Sequence, residues 1–123
     1  MTLDIVERNE ALARSWIDHF NAGRIDDLLG LYAEDCTHTS PKIRALHPDT
    51  GGELRGKAAL TTWWKEALER LRGLRYEIVR ITAGPGGVFV EYTRHAPGEP
   101  PMAVAEVFDV EQGAIVASRV YHG

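Results

Sequence analysis

The stretch RYEIVRITAGPGGVFVEYTRHAPGEPPMAVAEVFDVEQGAIVASRVY, residues 75–121, decides the fold. Four runs rich in β-branched and aromatic residues alternate within it: Arg75 to Ala83, Val88 to His95, Met102 to Val110 and Ala114 to Tyr121. Such side chains suit a pleated, half-buried surface, whereas Gly84-Pro85-Gly86-Gly87, Pro97-Gly98-Glu99-Pro100 and Glu111-Gln112-Gly113 supply turns between the runs. Turns this short join antiparallel neighbours, so the stretch predicts a four-strand meander.

Upstream of the meander the period changes. From Gly56 to Leu71 the apolar residues Leu60, Trp63, Trp64, Ala67, Leu68 and Leu71 recur at helical spacing. Leu3 to Phe20 does the same through Ile5, Leu12, Trp16 and Phe20, and Asn21-Ala22-Gly23 stops it; Ile25 to Tyr32 reads as a second, shorter helix. Cys36 to Ser40 reads as an early strand before Pro41. The following stretch, Pro41 to Arg55, with two prolines and Gly51-Gly52, is expected to be a long loop, a candidate pocket cover hinged at Gly51 and Gly52. Three N-terminal helices segregated to one face of an antiparallel sheet make an α+β fold, one domain over residues 1–123.

The bulk composition, 44% apolar and 26% charged, is that of a folded domain. A net charge of -4 with the two signs interspersed offers no basic stripe for a phosphate backbone, so no nucleic-acid partner is expected. The lone Cys36 forms no internal disulfide, which suits a reducing cytoplasm. The charged N-terminus reads as neither signal peptide nor anchor, and no stretch approaches membrane-spanning length.

Strand alternation places Glu106 on the face of Met102, Val104, Phe108 and Val110, which should point inward. A buried carboxyl needs a raised pKa or a partner, so Glu106 is the leading candidate for chemistry; its structural alternative is an ion pair with Arg94 or Arg119. His38, sharing a face with Cys36 and Ser40, is the second candidate, a neutral imidazole able to exchange protons near physiological pH. Tyr92 shares a face with Val88 and Val90 and should offer its hydroxyl inward; His122 shares parity with Ser118 and Val120. Of the adjacent Trp63 and Trp64, helical geometry is expected to bury only one fully.

Leu31-Tyr32-Ala33-Glu34-Asp35 with Cys36-Thr37-His38, Leu54-Arg55-Gly56-Lys57 opening a helix, Glu106-Val107-Phe108 and Gly113-Ala114-Ile115-Val116 together resemble the nuclear transport factor 2-like superfamily, including its SnoaL-like and ketosteroid-isomerase-like members. The resemblance spans nearly the whole chain. It implies a cone-shaped roll, a strongly bent mixed or antiparallel sheet wrapped by three helices, with a pocket inside and a homodimer through the outer sheet face. Ketosteroid isomerases carry a tyrosine donor where this chain has Trp16 and an aspartate base where it has Ser40; only the acid on the third meander strand is kept in kind, as Glu106. The expected activity is therefore not steroid isomerisation.

The expectation is a pocket for a small apolar molecule with Glu106 and His38 as catalytic groups. Trp16, Tyr32, Ser40, Trp63, Tyr92, Phe108, Val120 and His122 are the expected ligand contacts. No cofactor is implied, and no two histidines stand at the short helical spacing of metalloenzyme motifs, so no metal is expected. Acid-base isomerase, cyclase or hydrolase chemistry is one reading, and a non-catalytic ligand-binding or dimerisation module is the other.

Overall fold

The computed structural model describes residues 4–123. The start of the first predicted helix at Leu3 lies outside them. Helix α1 runs Ile5–Asn21, its N-terminus capped by Asp4, whose side chain accepts from the Glu7 amide. One face buries Ala13, Trp16, Ile17 and Phe20, a spacing that lays a single apolar stripe on the sheet. Two asparagines fix the helix there. Asn9 donates from Nδ2 to the Gly84 carbonyl at 2.8 Å, and Asn21 both donates to the Tyr76 carbonyl (2.7 Å) and accepts from its amide (2.8 Å). The buried Asn9 is thereby satisfied, and Trp16 is held over the sheet from both ends.

Helix α2 is Ile25–Leu29, and Gly30 ends it, so Tyr32 is not helical as expected but opens strand β1, Tyr32–Thr39. The largest correction is at Pro41 to Arg55. This segment is no loop: it forms helix α3, Pro41–Leu46, a 3₁₀ turn at Pro48–Thr50 and strand β2, Glu53–Arg55. Ser40 is the N-cap of α3, its Oγ accepting from the amides of Lys42 (3.1 Å) and Ile43 (3.3 Å), and Pro41 occupies the first turn, where its missing N–H costs nothing. Gly51 and Gly52 take positive φ at the turn into β2, where they close a corner. The described residues thus form four α-helices, the short α3 added to the three expected; helix α4 is Lys57–Arg70.

Strands β3 (Arg75–Gly84), β4 (Gly87–His95), β5 (Met102–Glu111) and β6 (Ala114–His122) form the meander. The six strands make one sheet in the order β2-β1-β6-β5-β4-β3, antiparallel except where β1 runs parallel to β6. Irregularities in register at Ile78/Arg80, Asp109/Val110 and Tyr32/Thr37 bend the sheet. The result is a curved sheet closed by helices, a cone with its core on the concave face. No helix among the described residues is long and apolar enough to cross a membrane.

Candidate functional site

The concave face carries a ladder of aromatic rings. Trp16 stacks on Phe20 (centroids 5.4 Å), Phe20 on Tyr76 (4.1 Å) and Tyr76 on Tyr92 (4.2 Å), with Trp64 edge-on to Trp16 and Phe20. Beside this ladder lies a cavity of about 250 Å³. Its walls come from β1 and the Ser40 cap (His38, Ser40), from α3 (Lys42, Ala45, Leu46) and from α4 and the segment after it (Trp63, Trp64, Ala67, Arg70, Leu71, Leu74). The sheet adds Tyr76, Tyr92, Arg94, Val104, Val120 and His122, and the β4–β5 turn adds Glu99.

Five of the expected ligand contacts, Ser40, Trp63, Tyr92, Val120 and His122, line this cavity, as does His38. Trp16, Tyr32 and Phe108 are instead core residues behind the lining, almost completely buried. Both tryptophans of the adjacent pair are buried, at 6% and 4% exposure, contrary to the expectation for a helix resting on one surface. The cone explains it: α4 packs on α2, β1 and β2, with Trp64 edge-on to Trp16 and Phe20 and Trp63 against His47, the residue after α3. Trp64, Tyr76 and Arg94 were missed as lining residues, although the parity of Arg94 with Tyr92 already placed it on the inner face.

Glu106 is fully buried and does not itself reach the lining. Its Oε1 accepts from the Tyr92 hydroxyl at 3.0 Å, and its Oε2 has no protein partner. Neither expected ion pair forms: Arg94 binds Glu99 (2.8 Å) and Arg119 binds Asp109 (2.7 Å). Burial therefore pushes the Glu106 carboxyl up to about 8, with the Tyr92 hydrogen bond opposing the shift. Its charge in turn helps burial hold the Tyr76 and Tyr92 phenols well above the ordinary tyrosine value.

His38 belongs to a second buried network. Trp16 Nε1 donates to the Tyr32 hydroxyl (2.9 Å), and Ser118 Oγ lies 2.6 Å from His38 Nδ1. An indole N–H can only donate, so Tyr32 is the acceptor of Trp16. A Ser118 hydroxyl that donates to Nδ1 leaves the proton of the neutral ring on Nε2. Burial holds the imidazole pKa down to about 4, so the ring is neutral at physiological pH. His38 Nε2 and Trp64 Nε1 are both buried without a protein partner, on rings whose centroids lie 5.4 Å apart along one cavity wall. Such atoms are rare in a folded chain. Among the described residues no three His, Cys, Asp or Glu side chains gather in a metal-binding arrangement.

A bent sheet closed by helices around an apolar cavity with a few inward polar groups defines the nuclear transport factor 2-like class. Within it, residues 13–118 match the SnoaL-like domain, and the chain belongs to that family. A SnoaL-like protein of unknown function from Burkholderia thailandensis is 29% identical, with 95% of each chain covered and a TM-score of 0.86. A proposed polyketide cyclase from Xanthomonas campestris pv. campestris shares 23% identity over 98% of this chain and 93% of its own, at TM-score 0.80. A proposed ketosteroid isomerase from Kribbella flavida shares 19% over 96% and 79%, at TM-score 0.79. The last two are likenesses of fold. No protein of curated function matches the chain.

Proposed function

We propose that this SnoaL-like domain binds a small, largely apolar molecule in the cavity through an oxygen that accepts from His38 Nε2–H and Trp64 Nε1–H, and that Glu106 and His38 serve acid-base chemistry upon it. The observation that carries the reading is the pair of buried ring nitrogens without a protein partner, His38 Nε2 and Trp64 Nε1, along one wall of the cavity. Two neutral donors aimed at one oxygen favour charge building up there, the demand of isomerase, cyclase and epoxide-opening reactions alike. In this scheme His38 is the electrophilic partner. Glu106 holds the exchangeable proton at neutral pH and communicates with the cavity through the Tyr92 hydroxyl. The fold neighbours described as an isomerase and a cyclase fit the same class of chemistry.

A second reading, binding without turnover, is favoured by one observation: Tyr92 stands between Glu106 and the lining. Titration of small apolar ketones, epoxides and alcohols against tryptophan fluorescence tests both. Trp64→Phe keeps the ring and removes a donor, and should weaken binding about tenfold, the size of one buried hydrogen bond. If ligands bind Trp64→Phe and wild type equally, the oxygen site is wrong. If they bind and Glu106→Gln turns them over as wild type does, the acid-base role is wrong.

The outer sheet face exposes Val79, Phe89 and Tyr121, and a homodimer through this face is part of the proposal. A reducing cytoplasm suits a chain whose one cysteine, Cys36, is buried and free.

A further inference from the structure

The chain as a whole carries a net charge of -4, yet its cavity is lined by three permanent cations, Lys42, Arg70 and Arg94, and by one ionised carboxylate, Glu99. The cations are unequal. Arg70 is exposed, its guanidinium 6.0 Å from the Trp63 ring, whereas Arg94 is only 6% exposed and held inside the sheet. A buried guanidinium needs an anion. The partner it has, Glu99, sits on the exposed turn between β4 and β5 and reaches Arg94 Nη1 with one oxygen at 2.8 Å. Lys42, from the first turn of α3, acts electrostatically on both Glu99 and His122, and Arg94 acts on His122 too, so these four side chains share one end of the cavity.

The register says which end. His38 is level with Ser118 and Phe108, while Arg94 is level with Met102, six residues further along β5. At about 3.3 Å per residue the two lie at opposite ends of the pocket wall. One end offers neutral donors in an apolar setting; the other offers excess positive charge beside a carboxylate that belongs to a surface turn.

We infer that the ligand of this cavity is an elongated amphipathic acid, whose carboxylate seats at the mouth against Arg94 and Lys42 in place of Glu99 while its apolar body extends toward His38. The inference rests on the reading that the cavity binds a small molecule. The exchange is chemically even: a guanidinium-carboxylate pair is broken and another formed, so the cation is never left bare. Glu99, released to the exposed turn, is solvated at little cost, and Lys42 adds an attraction for which the protein itself supplies no second carboxylate on the lining.

The test compares 4-phenylbutanoate with 4-phenylbutanamide, matched in length and shape, by isothermal titration calorimetry at low salt. The acid should bind about tenfold or more tightly than the amide, the order of one charge-assisted hydrogen bond. Glu99→Gln should strengthen the acid several-fold and leave the amide unchanged. Lys42→Gln should weaken the acid alone. Both changes are away from the core, so the test does not depend on whether Arg94→Gln folds. Equal binding of acid and amide overturns the inference and leaves the cavity reading standing; binding of neither overturns both.

Discussion

Replacing Glu106 with glutamine should make the protein more stable, and increasingly so as pH rises. The side chain is fully buried, its Oε1 accepts from Tyr92, and no cation approaches it. Glutamine keeps the acceptor and the shape. A carboxyl held at about 8 in the fold against an ordinary 4.5 binds its proton more tightly when folded. Stability from this group is therefore complete below pH 4.5 and is lost as pH climbs toward 8 and past it, the reverse of the usual salt-bridged acid. At roughly 1.4 kcal/mol per pKa unit, the wild type forfeits on the order of 5 kcal/mol between pH 4.5 and pH 9, and the variant should forfeit none of it. Urea unfolding of both proteins at pH 5, 7 and 9, followed by tryptophan fluorescence, reads the difference directly. The two stability curves should converge in acid and diverge in base. Parallel curves would refute the argument and mean that Glu106 is charged and compensated at neutral pH.

The Ser118–His38 hydrogen bond makes a spectroscopic prediction: ¹⁵N-¹H spectra of labelled imidazoles should show His38 as the Nε2–H tautomer and neutral down to about pH 4, and Ser118→Ala should mix the tautomers. Ser40→Ala removes the cap of α3 and should cost about 1 kcal/mol in denaturant unfolding, with hydrogen exchange rising first at Lys42 and Ile43. Light scattering should report a dimer for the wild type and a monomer for the Phe89→Lys, Tyr121→Lys double variant; a wild-type monomer would remove the outer-face interface from the proposal.

The meander was legible because its signals are local. Gly84 to Gly87 and Glu111 to Gly113 mark turns in any context, and alternation along β5 puts Glu106 inside without knowledge of the rest. The loop expected over Pro41 to Arg55 from its two prolines and Gly51-Gly52 gives way to α3 because a proline is also at home in the first turn of a helix. Ser-Pro at the start of a short apolar stretch is equally a helix start, and Ser40 with Pro41 fits that pattern to the residue. Gly30 stops α2 in the same local way and leaves Tyr32 to open β1. The partners of buried polar groups were the part beyond reach. Tyr92 reaches Glu106 diagonally, since Glu106 stands opposite Val90, and His38 meets Ser118 across 80 residues of chain. Neither contact follows from spacing; both depend on which strands become neighbours.

The position of β6 between β1 and β5 has a kinetic consequence. It is the last of the described strands and yet lies inside the sheet, so the strands formed before it make two groups that do not pair with each other: β1–β2 and β3–β4–β5. Closing them means threading one strand into a slot with both edges already occupied by earlier residues, which is a non-local and therefore slow step. Until it happens, two strand edges stand open to pairing with other chains. Folding should pass through a species with a formed meander and unprotected β1 amides, and the His38 wall, completed by Ser118 from that same strand, should be the last part of the molecule to acquire protection.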